Sequence, residues 1–146
     1  MKSIFLIFVI SAISLSVYAQ QHRTWAVLHD KTKMLWASEE NEQANVISLH
    51  SSIFKSNSFF YFSFNDDINK NDRSNWVRTI GLFTESDSEL IRKKGDSLKL
   101  SDNSLKKLLF KNKTIKVYTW ALPKDPKEAA RVRVRRVHLC TIMLKP

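Results

Sequence analysis

The chain predicts an all-β fold: a single-domain antiparallel β-sandwich of about seven or eight strands with one short helix. Three features point there. Short apolar-rich runs with period-two alternation recur along the sequence, bounded by polar turn-forming residues. Only one run, following Asp102, has the i, i+3, i+4 spacing of a helix. Residues 114–144 hold two β-rich runs joined by a loop containing Pro123 and Pro126, as in a long terminal hairpin.

The first residues read as an address rather than a structure. Lys2 gives a positive start, residues 4–15 are apolar except for Ser11 and Ser14, and Val17-Tyr18-Ala19 fits a small-x-small cleavage site. The apolar run is shorter than the ~20 residues a spanning helix needs. A signal peptide over 1–19, cleaved to leave Gln20, is therefore expected, with the β-sandwich domain over 20–146 in a secreted or periplasmic setting. A domain of that length supports one core and not two. Cys140 is the one cysteine in the sequence, so no intrachain disulfide can form and burial must hold the fold. Its apolar surroundings in sequence mark it as a buried thiol.

Taken in order, Arg23–His29 alternates as a first strand and 34–37 as a short returning one, with the polar 30–33 between them. Residues 38–45 are acidic and aperiodic, hence a loop. Ile47, Leu49 and Ile53 alternate with Ser48, His50 and Ser52, giving a strand over 46–54. Lys55-Ser56-Asn57 separates it from 58–64, so these two are expected as a hairpin. Phe59, Phe60, Tyr61, Phe62 and Phe64 put aromatics on both faces of the second strand, which suits a strand covered on both sides or, second, one whose outer face meets a partner. The stretch 65–73 is the most polar of the chain, and it lacks the central glycine and closing glutamate of an EF-hand loop.

Trp76–Thr84 is the next strand, where Gly81 marks a bulge or a close backbone approach. Residues 88–93 turn at Lys94-Gly95-Asp96 into 97–100. The helix follows, with Asp102 or Asn103 as its cap and Leu105, Leu108 and Leu109 on one face. Placed just before a central strand, it is expected to cross between the layers of the sandwich.

Charge is unevenly spread. Residues 20–91 hold seven Lys or Arg against ten Asp or Glu, and residues 92–146 hold sixteen against four. Arg131, Arg133 and Arg135 alternate with Val132 and Val134, so on a strand the guanidinium groups project from one face about 7 Å apart. Arg136 breaks that alternation, and a bulge near Arg135 and Arg136 would restore Val137 and Leu139 to the inner face. Such a row can grip phosphates, sulfates or carboxylates bidentately, or pair with carboxylates on neighbouring strands.

Motifs for chemistry are sparse. His22, His29, His50 and His138 have no zinc-ligand spacing, and a nucleophile elbow is missing. With Gly81 and Gly95 as the two glycines, a glycine-rich phosphate cradle is not available. Neither a metal nor a cofactor is expected. The Glu39/Glu40 and Asp66/Asp67 pairs lie in polar loops, where carboxylates stay solvated. Asn112-Lys113-Thr114 is a glycosylation sequon, a match frequent by chance.

The leading expectation is an exported, non-enzymatic protein-interaction module such as an adaptor, inhibitor or immunity-type factor. The alternative is a binder of anionic polymers or surfaces, glycan or lipid, through Arg131, Arg133, Arg135 and Arg136 with Lys124 and Lys127. A small secreted hydrolase ranks third. Nucleic acid is not expected as a partner, since the sequence has no RNA-binding motif and no basic helical face.

Overall fold

The computed structural model describes residues 23–66 and 75–146. The expected signal peptide over 1–19 and the domain start at Gln20 lie outside those residues, as does the 65–73 stretch except for Asn65 and Asp66.

Nine strands form among the described residues: β1 (Arg23–His29), β2 (Thr32–Ala37), β3 (Val46–His50), β4 (Phe59–Asp66), β5 (Trp76–Thr84), β6 (Glu89–Lys94), β7 (Ser97–Ser101), β8 (Thr114–Pro123) and β9 (Val137–Lys145). The described residues also form helix α1 (Asp102–Asn112) and the single turn α2 (Pro126–Ala129). A four-stranded sheet runs β2-β1-β4-β7 and a five-stranded sheet β3-β9-β8-β5-β6. Their inner faces make one core. Trp25, Val27, Phe60, Phe62, Leu98 and Leu100 come from the first sheet, and Ile80, Leu82, Ile115, Val117, Cys140 and Ile142 from the second. The β-sandwich stands as expected.

The sheets are also tied by directed contacts. The Trp25 indole N–H donates to the Leu139 carbonyl at 2.7 Å, linking β1 to β9. The Arg78 guanidinium, from β5, lies 4.3 Å above the Phe64 ring and reaches Asp66 at 3.5 Å. Gly95 has φ of +127°, which an L side chain rarely adopts. That conformation lets the chain leave β6 on one sheet and enter β7 on the other. The Gly95 N–H donates to the Arg78 carbonyl, and the Asp96 carbonyl accepts from Phe64.

Several expectations need correction. Strands 46–54 and 58–64 do not form a hairpin. β3 ends at His50, a 3-10 turn over Ser51–Ile53 carries the chain between layers, and β3 instead pairs parallel with β9. The helix cap is Ser101, whose Oγ accepts the Ser104 N–H at 3.2 Å, while Asp102 is turned inward. Leu105 and Leu109 bury the helix face, and α1 does cross from β7 in one sheet to β8 in the other.

The largest correction concerns residues 131–136. β8 and β9 pair antiparallel, but the ladder begins at Val137 and the arginines precede it in an irregular connection. Pro126 and the Asp125 cap, whose Oδ1 accepts the Lys127 N–H, start α2 and divert the chain before it can extend the hairpin. The strand parity is restored further along than expected. The register shifts between Val117 and Tyr118, which leaves Leu139 as the extra residue on β9.

Candidate functional site

Register separates two outer faces that differ in kind. On the five-stranded sheet, Gly81 opposes Tyr118, Thr79 opposes Trp120, and Tyr118 opposes His138. These residues point away from the core, yet Phe83 and Trp120 are only 5 % and 6 % exposed. A cross-strand aromatic layer explains it. Phe83 meets Tyr118 edge-on at 5.6 Å and Trp120 at 6.0 Å, and Tyr118 meets His138 edge-on. Gly81 makes room for the layer, because a Cβ there would sit 2.8 Å from the Phe83 and Trp120 rings. Arg136 lies 4.8 Å from the centroids of both Phe83 and Tyr118, and Arg92 lies 5.4 Å from Trp120. The protein covers this face with its own side chains.

The four-stranded sheet is different. Its outward residues include Ala26 and Leu28 on β1, Lys33 and Trp36 on β2, Phe59, Tyr61 and Ser63 on β4, and Lys99 on β7. Trp36 is 57 % exposed, and Phe59, Tyr61 and Leu28 are half-buried. The Lys99 ammonium stands 3.9 Å from the Phe59 centroid and 5.5 Å from that of Tyr61. Among the described residues, no carboxylate projects from these strands' outer face. Asp30 sits at its end, in the β1–β2 turn, where it accepts the Phe59 N–H at 2.9 Å, and that bond holds its carboxyl below the ordinary range. The aromatics of β4 therefore do not mark a strand covered on both sides. One parity lies in the core and the other faces outward beneath a lysine.

The six basic residues singled out from sequence are only partly brought together. Arg135 donates to Oε2 of Glu40, whose Oε1 accepts the His138 N–H at 2.9 Å. Arg136 pairs with Asp87 at 2.8 Å while covering the aromatic layer. Both thus serve the fold. Arg131 and Arg133 are exposed and have no carboxylate partner among the described residues, and Lys124 and Lys127 are exposed on the same connection. The sequence offered no warning that Val134 would be exposed too, because its alternation matches a strand.

Two histidines are held inside. His29 Nε2 lies 2.9 Å from Oδ2 of Asp102, and the pair is 8 % and 0 % exposed. His138 Nε2 meets the Thr141 hydroxyl at 2.9 Å, while its Nδ1 is buried without a partner among the described residues. Burial pushes the His138 imidazole below its ordinary value. The same cause pushes the Cys140 thiol up, which leaves a poor nucleophile. Among the described residues, no three His, Cys, Asp or Glu groups are arranged to hold a metal ion, and no helix is long and apolar enough to cross a membrane.

Trp36 and Lys99 gave no sequence signal for this face, whereas Phe59 and Tyr61 did: aromatics at both parities of one strand fit an outer face that meets a partner as well as a covered one. No family model, curated protein or solved structure matches this chain.

Proposed function

We propose that the chain is an exported, non-enzymatic protein-interaction module that engages its partner through the outer face of the four-stranded sheet. One observation carries this reading: the asymmetry of the two sheets. The fold buries Phe83 and Trp120 on one sheet's outer face beside Arg136 and Arg92, with Tyr118 half-buried, and leaves Trp36 on the other 57 % exposed next to the half-buried Phe59 and Tyr61. Aromatic side chains on a rigid sheet supply large contact area with little ordering cost, which is why Trp and Tyr anchor interfaces. Export is supported by the charged start, apolar run and small-x-small ending of residues 1–19. The non-enzymatic reading is supported by the burial of the His29–Asp102 pair, in which both Asp102 oxygens are taken up by His29 and the Lys55 N–H.

The test is comparative capture from the exported fraction of the source organism. Wild type, Trp36→Ala and Arg131→Ser proteins are immobilised side by side. A partner retained by wild type and Arg131→Ser but lost by Trp36→Ala is the expected result. Retention independent of Trp36 would overturn the proposal.

A second reading is favoured by Arg131 and Arg133, which stand exposed without described carboxylate partners near Lys124 and Lys127 in sequence. They suit an anionic glycan or lipid surface. Elution from immobilised heparin at clearly lower salt after Arg131→Ser and Arg133→Ser would support it.

A further inference from the structure

Resting on the reading of the four-stranded sheet as a docking face, we infer that its occupant is an extended acidic protein segment crossing the strands at a steep angle. The argument begins with one row of the register. Lys33 opposes Leu28, Leu28 opposes Tyr61, and Tyr61 opposes Lys99, so four strands contribute a line of cation, aliphatic, aromatic and cation. Cross-strand partners share a face, and neighbouring strands lie about 4.8 Å apart, which sets the two lysine backbones roughly 14 Å apart. Between them the surface is apolar, with Trp36 exposed beside it and Phe59 beneath the Lys99 ammonium.

The Lys99 ammonium leans back over Phe59 and Tyr61, inward of its own backbone, and an extended peptide spans a comparable distance. Its residues i, i+2 and i+4 lie on one face, and the outer two are separated by about 13–14 Å. A segment of the pattern acidic-x-apolar-x-acidic laid across the strands would set its apolar residue on Leu28 and Tyr61 and its two carboxylates toward Lys33 and Lys99. Strands of two packed sheets do cross at near right angles, so side chains of extended backbone can interdigitate in that orientation. The sign of the charge is fixed by the face itself, which presents both ammonium groups and no described carboxylate on its strands. The Lys99 ammonium stacked on Phe59 still offers its other N–H donors to an acceptor.

The experiment titrates the isotopically labelled exported domain with three acetylated nonapeptides and one heparin oligosaccharide, followed by backbone amide shifts. One peptide is centred on Glu-Thr-Leu-Thr-Glu, one on Lys-Thr-Leu-Thr-Lys, and one on Glu-Thr-Thr-Glu-Leu, which sends its two carboxylates to opposite faces. The first should move the amides of Leu28, Lys33, Trp36, Tyr61 and Lys99 and bind more tightly than the other two. Lys33→Glu with Lys99→Glu should weaken it roughly tenfold and favour the lysine peptide instead. Equal binding of all three peptides at this face would overturn the acidic-segment inference and leave the docking face intact. Heparin binding here with no peptide binding would overturn it in favour of a glycan. Shifts confined to residues 124–136, or none on the four-stranded sheet, would overturn both the inference and the docking reading on which it rests.

Discussion

His29 and Asp102, seventy-three positions apart in sequence, meet through both carboxylate oxygens, Nε2 lying 2.9 Å from Oδ2 and 3.1 Å from Oδ1. The pair joins the end of β1 to the start of α1. The same Oδ2 accepts the Lys55 N–H at 2.8 Å, so one carboxylate fixes a strand, a helix and the connection that changes sheets. Stacking of His29 on Phe60 at 4.5 Å completes the packing. Removing Asp102 leaves His29 and a backbone N–H without their acceptor. Asp102→Ala should therefore cost about 2–5 kcal/mol, measured by urea unfolding, with Asp102→Asn costing less because it keeps one acceptor. Equal, small losses in the two variants would mean that water replaces the carboxylate.

Gly81 shows how a missing side chain organises a face. Its neighbours Phe83 and Trp120 are hemmed in by Arg136 and Arg92, so the rings cannot swing away freely from a new Cβ at 2.8 Å. Alanine suits a strand better than glycine by up to about 1 kcal/mol, whereas overpacking costs about 1–3 kcal/mol. The steric effect wins, and Gly81→Ala should destabilise. Trp120→Phe in the same chain should return part of that loss, seen as a positive coupling in a double-mutant cycle. Additive losses would contradict the close-approach account.

Three of the arginines before β9 should separate into two classes. Arg136 covers Phe83 and Tyr118 and pairs with Asp87, so Arg136→Ser removes packing as well as charge. A loss of about 1–2 kcal/mol in thermal or urea unfolding is expected. Arg131→Ser and Arg133→Ser should stay within about 0.5 kcal/mol of wild type, as exposed substitutions do. A uniform response across the cluster would show that the connection acts as one unit.

What the sequence made legible follows from what local pattern encodes. Period-two alternation in Arg23–His29 and Trp76–Thr84 located strands because each has a core-facing parity. The leucine spacing located α1 for the same reason. Sheet partnership is not local. Whether 46–54 pairs with 58–64 or with β9 depends on how the 3-10 turn and the Asp102 contact to Lys55 redirect the chain. Alternation in 131–135 was a false strand signal, because the valines alternate but the capped turn at Asp125 removes the partner strand's reach. The proposed docking face was hidden for a related reason. Lys33, Leu28, Tyr61 and Lys99 come from four strands, and only the register aligns them.

The buried His138 makes acid sensitivity testable. Desolvation is the largest cause of its lowered pKa, with Lys116 acting in the same direction and Glu42 and Glu40 opposing it. The unfolded imidazole titrates near 6.5. Above that pH both states are neutral at this site, so its contribution to stability is constant. Below it the unfolded chain takes up a proton that the folded chain resists, and stability falls until the folded value is passed. The slope from this group is at most about 1.4 kcal/mol per pH unit. Unfolding free energies of wild type and His138→Gln, measured from pH 7.5 to pH 5, should diverge in slope below about 6.5, with wild type losing stability faster. Other groups titrate in the same range, so the difference between the two proteins carries the test. Parallel curves would mean that the folded imidazole accepts its proton as readily as the unfolded one, with its unpartnered Nδ1 finding an acceptor when the chain relaxes.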